Sequence, residues 1–127
     1  MDMMKTHGAF SWLELTTTDP KAALSFYTTL FGWTVQTMEM SQGSYNVVHI
    51  GDTPVGGIMA PAPGAPATPP AWGCYITVEN VDLTAAHALA LGGRVLVEPM
   101  DIPGVGRFCM IQDPQGAMVN LITYEAG

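Results

Sequence analysis

The stretch Leu15-Thr-Thr-Thr-Asp-Pro-Lys-Ala-Ala-Leu-Ser-Phe-Tyr-Thr-Thr-Leu-Phe-Gly-Trp33 decides the fold. Its first residues close a run, 8–17, that alternates and carries Trp, Leu and Thr, as a half-buried strand does. Asp19-Pro20 then opens a helix. The aspartate caps free amides, and proline at the first helical position gives up no intrahelical bond. Ala22, Ala23, Phe26, Tyr27 and Leu30 recur at helical spacing, and Gly32 ends the element. Working outward, Trp33–Met40, Tyr45–Ile50 and Val55–Ala60 read as three strands. Turn chemistry separates them at Ser41-Gln42-Gly43 and at Gly51-Asp52-Thr53-Pro54. The order is β-α-β-β-β.

The same order then returns. Trp72–Val78 reads as a strand, Asn80 and Asp82 offer caps, and Leu83–Leu91 is an Ala-rich helix closed by Gly92-Gly93. Strands follow at Arg94–Glu98, Arg107–Gln112 and Ala117–Tyr124, with Asp113-Pro-Gln-Gly116 as the last turn. Sliding the chain by 61 positions lays residues 9–61 over 70–122 and matches Thr16 with Thr77, Gly32 with Gly93 and Asp52 with Asp113. Between the copies, residues 60–71 are so rich in Ala and Pro that neither helix nor sheet suits them. The reading is one α+β domain over residues 1–127. Module one spans about 8–60, a connector 60–71, and module two about 72–124. Two copies of one unit imply a pseudo-symmetric fold with a cleft between or within the copies.

Composition narrows the function. Of 127 residues, 48% are apolar and only 12% charged, which favours a buried interface or a lined cavity. A net charge of −7 with four Lys and Arg cannot build the basic face that nucleic acid needs. Cys74 and Cys109 sit in apolar runs and read as buried thiols of a reducing compartment. No apolar run approaches the length of a membrane span. Met1-Asp-Met-Met-Lys5 lacks the basic start and apolar run of a secretory leader, so a cytoplasmic location is expected.

The quoted opening stretch resembles the first strand and helix of the vicinal oxygen chelate superfamily. That group takes in glyoxalase I, bleomycin- and fosfomycin-resistance proteins and extradiol dioxygenases. Asp113-Pro-Gln-Gly-Ala117 is similar to its late turn, and Pro103-Gly-Val-Gly-Arg-Phe108 resembles a glyoxalase-like subgroup. The resemblance covers essentially the whole chain and implies an α+β fold of two pseudo-equivalent βαβββ modules forming a cupped mixed sheet with a concave cleft. In metal-using members four side chains meet one divalent ion. The resemblance places two of those positions at Trp12 and Asn120, and the 61-residue repeat carries them to Gly73 and Met59. A divalent ion wants carboxylate or imidazole donors, and only Asn120 offers even a neutral oxygen. No metal centre and no cofactor is expected.

Alternation then names the lining of the cleft, because side chains two apart share a face. With Leu13 and Leu15 on the helix, Phe10, Trp12, Glu14 and Thr16 face inward. Packing Val48 and Ile50 on the helix turns Tyr45, Val47 and His49 inward. Tyr75, Thr77, Met59, Phe108, Met110, Met118 and Asn120 join them, while Cys109 does not. Glu14, walled by Trp12, Tyr75 and Met59, loses solvation. That would raise its pKa and suit it to general acid–base work, with His49 as candidate partner. The alternatives are a mouth carboxylate, or one hydrogen-bonded to Tyr75, and a structural histidine. Arg107 has either Glu98 or Asp101 as its partner, or a ligand anion. The ligand-binding candidates are Trp12, Tyr45, Met59, Tyr75, Phe108, Met110, Met118 and Asn120.

Three functions stay open. The first is a module binding a small, largely apolar or aromatic molecule, as resistance-type members of the superfamily do. The second is a metal-independent isomerase or lyase using Glu14. The third, carried by the resemblance, is a divalent-metal glyoxalase or dioxygenase. The resemblance and the low surface charge together imply a homodimer.

Overall fold

Two modules, each contributing four strands of mixed β-sheet backed by one helix, form the chain in the computed structural model, which describes residues 1–40, 43–61 and 68–125. The chain divides into two compact units, one of residues 12–73 and one of residues 1–11 with 74 onward. Half of the Ala/Pro connector (residues 62–67), and Ser41-Gln42 of the first turn, lie outside the described residues.

The first module runs β1 (Phe10–Thr16), α1 (Pro20–Phe31), β2 (Thr34–Met40), β3 (Gly43–Ile50) and β4 (Thr53–Met59). Its strand order is β2-β3-β4-β1, with β1 parallel to β4 and the rest antiparallel. Asp19 caps α1 as its sequence position demands, its Oδ1 accepting from the Ala22 amide at 3.1 Å. Gly32 ends α1 at φ 73°, a left-handed conformation that costs glycine nothing, and its amide donates to the Thr28 carbonyl. Leu15, Val48 and Ile58 form the core, covered by Ala23, Leu24, Tyr27, Trp33 and Val55. Fully burying each such aliphatic chain is worth about 1.5–3 kcal/mol. Leu13 and Ile50, expected to join that core, are exposed. Ile50 lies beyond the pairing irregularity at Val48/His49, at the hairpin end of β3.

The second module runs β5 (Ala71–Thr77), α2 (Val81–Ala90), β6 (Arg94–Ile102), β7 (Gly106–Gln112) and β8 (Met118–Tyr124), ordered β5-β8-β7-β6. Val78, Val81, Ala85, Cys109 and Leu121 form its core. Asn80 caps α2 through its Oδ1, which accepts from the Leu83 amide at 3.0 Å. Asp82 falls inside the first turn and takes Arg107 instead, with Nε to Oδ2 at 2.8 Å and Nη2 to Oδ1 at 3.0 Å. Asp101 accepts from Nη1 at 3.1 Å. Arg107 therefore has Asp101, one of its two expected partners, together with an aspartate that sequence proximity did not suggest. The hydrogen bonds from Arg107 hold the Asp82 carboxyl below its ordinary pKa. Asp113 Oδ1 closes the last turn by accepting from the amides of Gln115 and Ala117, both at 2.9 Å.

The strand expected to stop at Glu98 continues through Pro99 to Ile102. Proline is tolerated because β6 is an outer strand with irregular pairing on both sides of Val97. Those two irregularities matter further along, since the pairing of β2 with β3 is regular throughout. Glu14 pairs with Gly57, and Tyr75 pairs with Asn120. The 61-residue offset that relates Glu14 to Tyr75 has thus become 63 by the last strands. The counterpart of Asn120 is Gly57, not Met59 as the ungapped repeat implied.

Cys109 is fully buried, and burial pushes its thiol up to about 11, with Asp82 and Glu98 adding to the shift. It stays protonated through mildly alkaline pH, and its support for the fold is lost only as pH rises from the ordinary thiol value toward about 11. Iodoacetamide on the native protein is expected to label Cys74, which is half-buried, and to spare Cys109 until denaturant is added. Equal labelling of both thiols, read by mass spectrometry, would contradict this packing.

Candidate functional site

Each module's single helix covers one face of its sheet, so the site residues gather on the opposite faces. In the first module Leu15 points to α1, and Trp12 and Glu14 therefore share the other face. Tyr45 stands on β3, and β4 lies between it and β1. Its phenol nevertheless reaches β1. The Trp12 indole Nε1–H donates to Tyr45 Oη at 2.8 Å, and the Tyr45 hydroxyl donates to Glu14 Oε2 at 2.8 Å. The crossing is possible because residue 57, opposite both Glu14 and Val47, is glycine. A Cβ built there would fall inside the Tyr45 phenol.

All three side chains are half-buried, so their hydrogen bonds are partly shielded from competing water. A bond to a carboxylate contributes about 1.5–3 kcal/mol and a neutral one about 0.5–1.5 kcal/mol. One oxygen of the carboxylate is thereby fixed by the Tyr45 hydroxyl, which Trp12 in turn holds. Such a group can accept a hydrogen bond or a proton from a ligand lying on the rings.

The other first-module candidates lie apart from this set. His49 pairs across with Pro54, three residues along β4 from Gly57, roughly 10 Å at ordinary strand rise. Met59 ends β4 opposite Thr16, half-buried, its carbonyl accepting from the Thr17 amide at 2.9 Å.

In the second module Cys109 and Leu121 point to α2, which sends Phe108, Met110 and Asn120 to the opposite face. Tyr75 is buried there, its ring centroid 6.5 Å from that of Phe108 at a tilt of 44°. Asn120 is buried between Tyr75 and Met110 in the register, and its Nδ2 lies 3.5 Å from the Cys74 carbonyl. Met118, at the start of β8 opposite Gln112, is exposed and lies outside this group. The residue that sequence reasoning missed is Gly57. Its signal was the pair Gly56-Gly57 inside a strand, which marks a close approach of another group.

Comparison with known proteins places this geometry in a family. Residues 9–121 match the model of the Glyoxalase/Bleomycin resistance protein/Dioxygenase superfamily, and the chain belongs to that superfamily. It is 45% identical over 116 residues to CFP32 of Mycobacterium tuberculosis, provisionally named a glyoxylase, covering 91% of this chain and 44% of that protein. It is 31% identical over 123 residues to the anthracycline biosynthesis protein DnrV of Streptomyces peucetius, covering 87% of this chain and 45% of that protein. The chain thus spans less than half the length of these curated relatives. Among solved structures, methylmalonyl-CoA epimerase from Mycobacterium tuberculosis shares the fold at a TM-score of 0.68 and 16% identity, covering 94% of this chain and 89% of that one.

Some members of so broad a family use a divalent ion, and the donors here can be tested against that need. The positions implied by the resemblance hold Trp12 and Asn120; the 61-residue repeat carries Trp12 to Gly73, and strand register carries Asn120 to Gly57. An indole, an amide and two glycines supply one neutral oxygen, where a divalent ion requires several carboxylate or imidazole groups. Among the described residues, no three His, Cys, Asp or Glu side chains cluster to hold a metal ion. The residues do not fit the ion.

The crossing over Gly57 has a direct test in a double-mutant cycle. Gly57→Ala is expected to expel the Tyr45 ring and destabilise the protein by about 1–3 kcal/mol, the cost of leaving part-buried polar groups unpaired. In a Tyr45→Ala background the same change should cost much less, because no ring remains to be displaced. Additive losses in urea denaturation would mean that the two positions do not interact.

Proposed function

We propose that the chain binds a small, largely apolar or aromatic molecule, without a metal centre, on the face built by Trp12, Tyr45 and Glu14. The observation that carries this reading is the hydrogen-bonded Trp12–Tyr45–Glu14 set, a carboxylate oriented by a tyrosine hydroxyl that a tryptophan indole in turn holds. Flat apolar ligands favour such rings, and one fixed acceptor selects for a hydroxyl or amine on the ligand. The Tyr75, Phe108 and Met110 face of the second module has the same apolar character. Similarity to a protein of anthracycline biosynthesis supports a planar aromatic ligand class.

A second reading assigns Glu14 a proton-transfer role in a metal-independent isomerase- or lyase-type step. The bond from Tyr45 favours it, because holding one carboxylate oxygen aims the group as a general base must be aimed.

Titration with a hydroxyanthraquinone separates these outcomes. Quenching of tryptophan fluorescence is expected in the native protein and should be largely lost in Trp12→Phe. Glu14→Gln should weaken binding about tenfold, equivalent to ~1.4 kcal/mol. An absence of both quenching and thermal shift for this ligand class would refute the binding proposal. Turnover of the bound ligand, abolished in Glu14→Gln with binding retained, would select the enzymatic reading.

A further inference from the structure

On the face that carries Glu14, strand register extends a row of residues beyond the Trp12–Tyr45–Glu14 set. Glu14 pairs with Gly57, Gly57 with Val47, and Val47 with Gln36, one residue from each of β1, β4, β3 and β2. Paired residues share a face of the sheet, so the four positions form one line on one side. The other side of β2 fixes the assignment. Thr37 Oγ1 donates to Asn46 Oδ1 at 2.8 Å, and Asn46 is buried on the α1 side, two residues before Val48 of the core. Gln36 and Met38 therefore stand on the opposite side, with Val47 and Tyr45.

The chemistry along this row is uneven. At one end is the Glu14 carboxylate, whose Oε2 the Tyr45 hydroxyl holds. In the middle, Gly57 leaves its place to the Tyr45 phenol, and Val47 is half-buried and apolar. At the far end is Gln36, exposed on the outer strand, with an amide that both donates and accepts. Met38, across from Tyr45, adds a polarisable apolar group beside the floor. A phenol ring and a valine thus make an apolar floor with a hydrogen-bonding group at each end.

Three strand intervals separate Glu14 from Gln36, about 14 Å between their backbones. Both side chains are long, so the span left between their polar ends suits a fused polycyclic system and exceeds a single ring. A short ligand bonded to Glu14 leaves the Gln36 amide to water. A longer one can replace water at both ends.

We infer that Gln36 is a specificity-determining residue of this face, bonding the far end of a planar polycyclic ligand whose near end bonds Glu14. The inference rests on the binding reading above and narrows its ligand class to fused rings with hydrogen-bonding groups at opposite ends. Two probes test it by isothermal titration calorimetry: a monohydroxyanthraquinone with its hydroxyl on a terminal ring, and a dihydroxyanthraquinone with one hydroxyl at each end. The native protein should bind the second more tightly, by about three- to tenfold beyond the statistical advantage of two equivalent ends, as one neutral hydrogen bond allows. Gln36→Leu should abolish that excess and leave the affinity for the monohydroxy probe unchanged. Gln36→Glu, which keeps an acceptor oxygen, should retain most of it. Because residue 36 is exposed on an outer strand, both variants should keep the native circular dichroism spectrum. No excess in the native protein, an excess that survives Gln36→Leu, or a Gln36→Leu loss shared by both probes would each overturn the role of Gln36 and leave the binding reading standing. If neither probe binds the native protein, the binding reading itself falls, and this inference with it.

Discussion

A single helix can cover only one face of a four-stranded sheet, and that constraint organises the whole chain. In each module the covered face holds the aliphatic core, Leu15–Val48–Ile58 in one and Val81–Cys109–Leu121 in the other. The opposite face is then free to carry groups that packing would not accept. Because strand side chains alternate, committing one residue to the helix commits its neighbours to the other side. Leu15 under α1 thus delivers Glu14 and Trp12 to the site face without further instruction.

The two modules share a register and differ in chemistry. Where the first pairs Glu14 with Gly57, the second pairs Tyr75 with Asn120. Gly57 leaves room for Tyr45 to span an intervening strand, while Asn120 fills the corresponding space with an amide. One copy therefore carries an anchored carboxylate and the other a Tyr–Phe–Met surface. The superfamily name spans resistance proteins, glyoxalases and dioxygenases, and a scaffold edited at a few facing positions is a physical basis for such breadth.

The helices also differ. Helix α2 buries Val81 and Ala85 in its core and is tied to β6 and β7 through Arg107, Asp82 and Asp101. Helix α1 buries nothing fully and is held by ring packing around Tyr27 instead. Among the described residues, no helix is long and apolar enough to cross a membrane. The exposed rings of α1 lie on the helix side of the first module, opposite the face that carries Glu14.

Much of this was legible in residue order. Asp19-Pro20 and Gly32 bounded α1, Asn80 opened α2, and alternation sorted Leu15 from Glu14 and Cys109 from Phe108. These readings succeed because capping and side-chain periodicity act over one to four residues. Tertiary structure alone decided what depends on how strands meet. The irregular pairing of β6 moved the counterpart of Asn120 from Met59 to Gly57, Asp82 on α2 claimed Arg107 of β7, and Tyr45 crossed a strand to reach Glu14. Register is fixed by the sum of pairings along a sheet, and no local pattern in the chain records where a strand gains an extra residue.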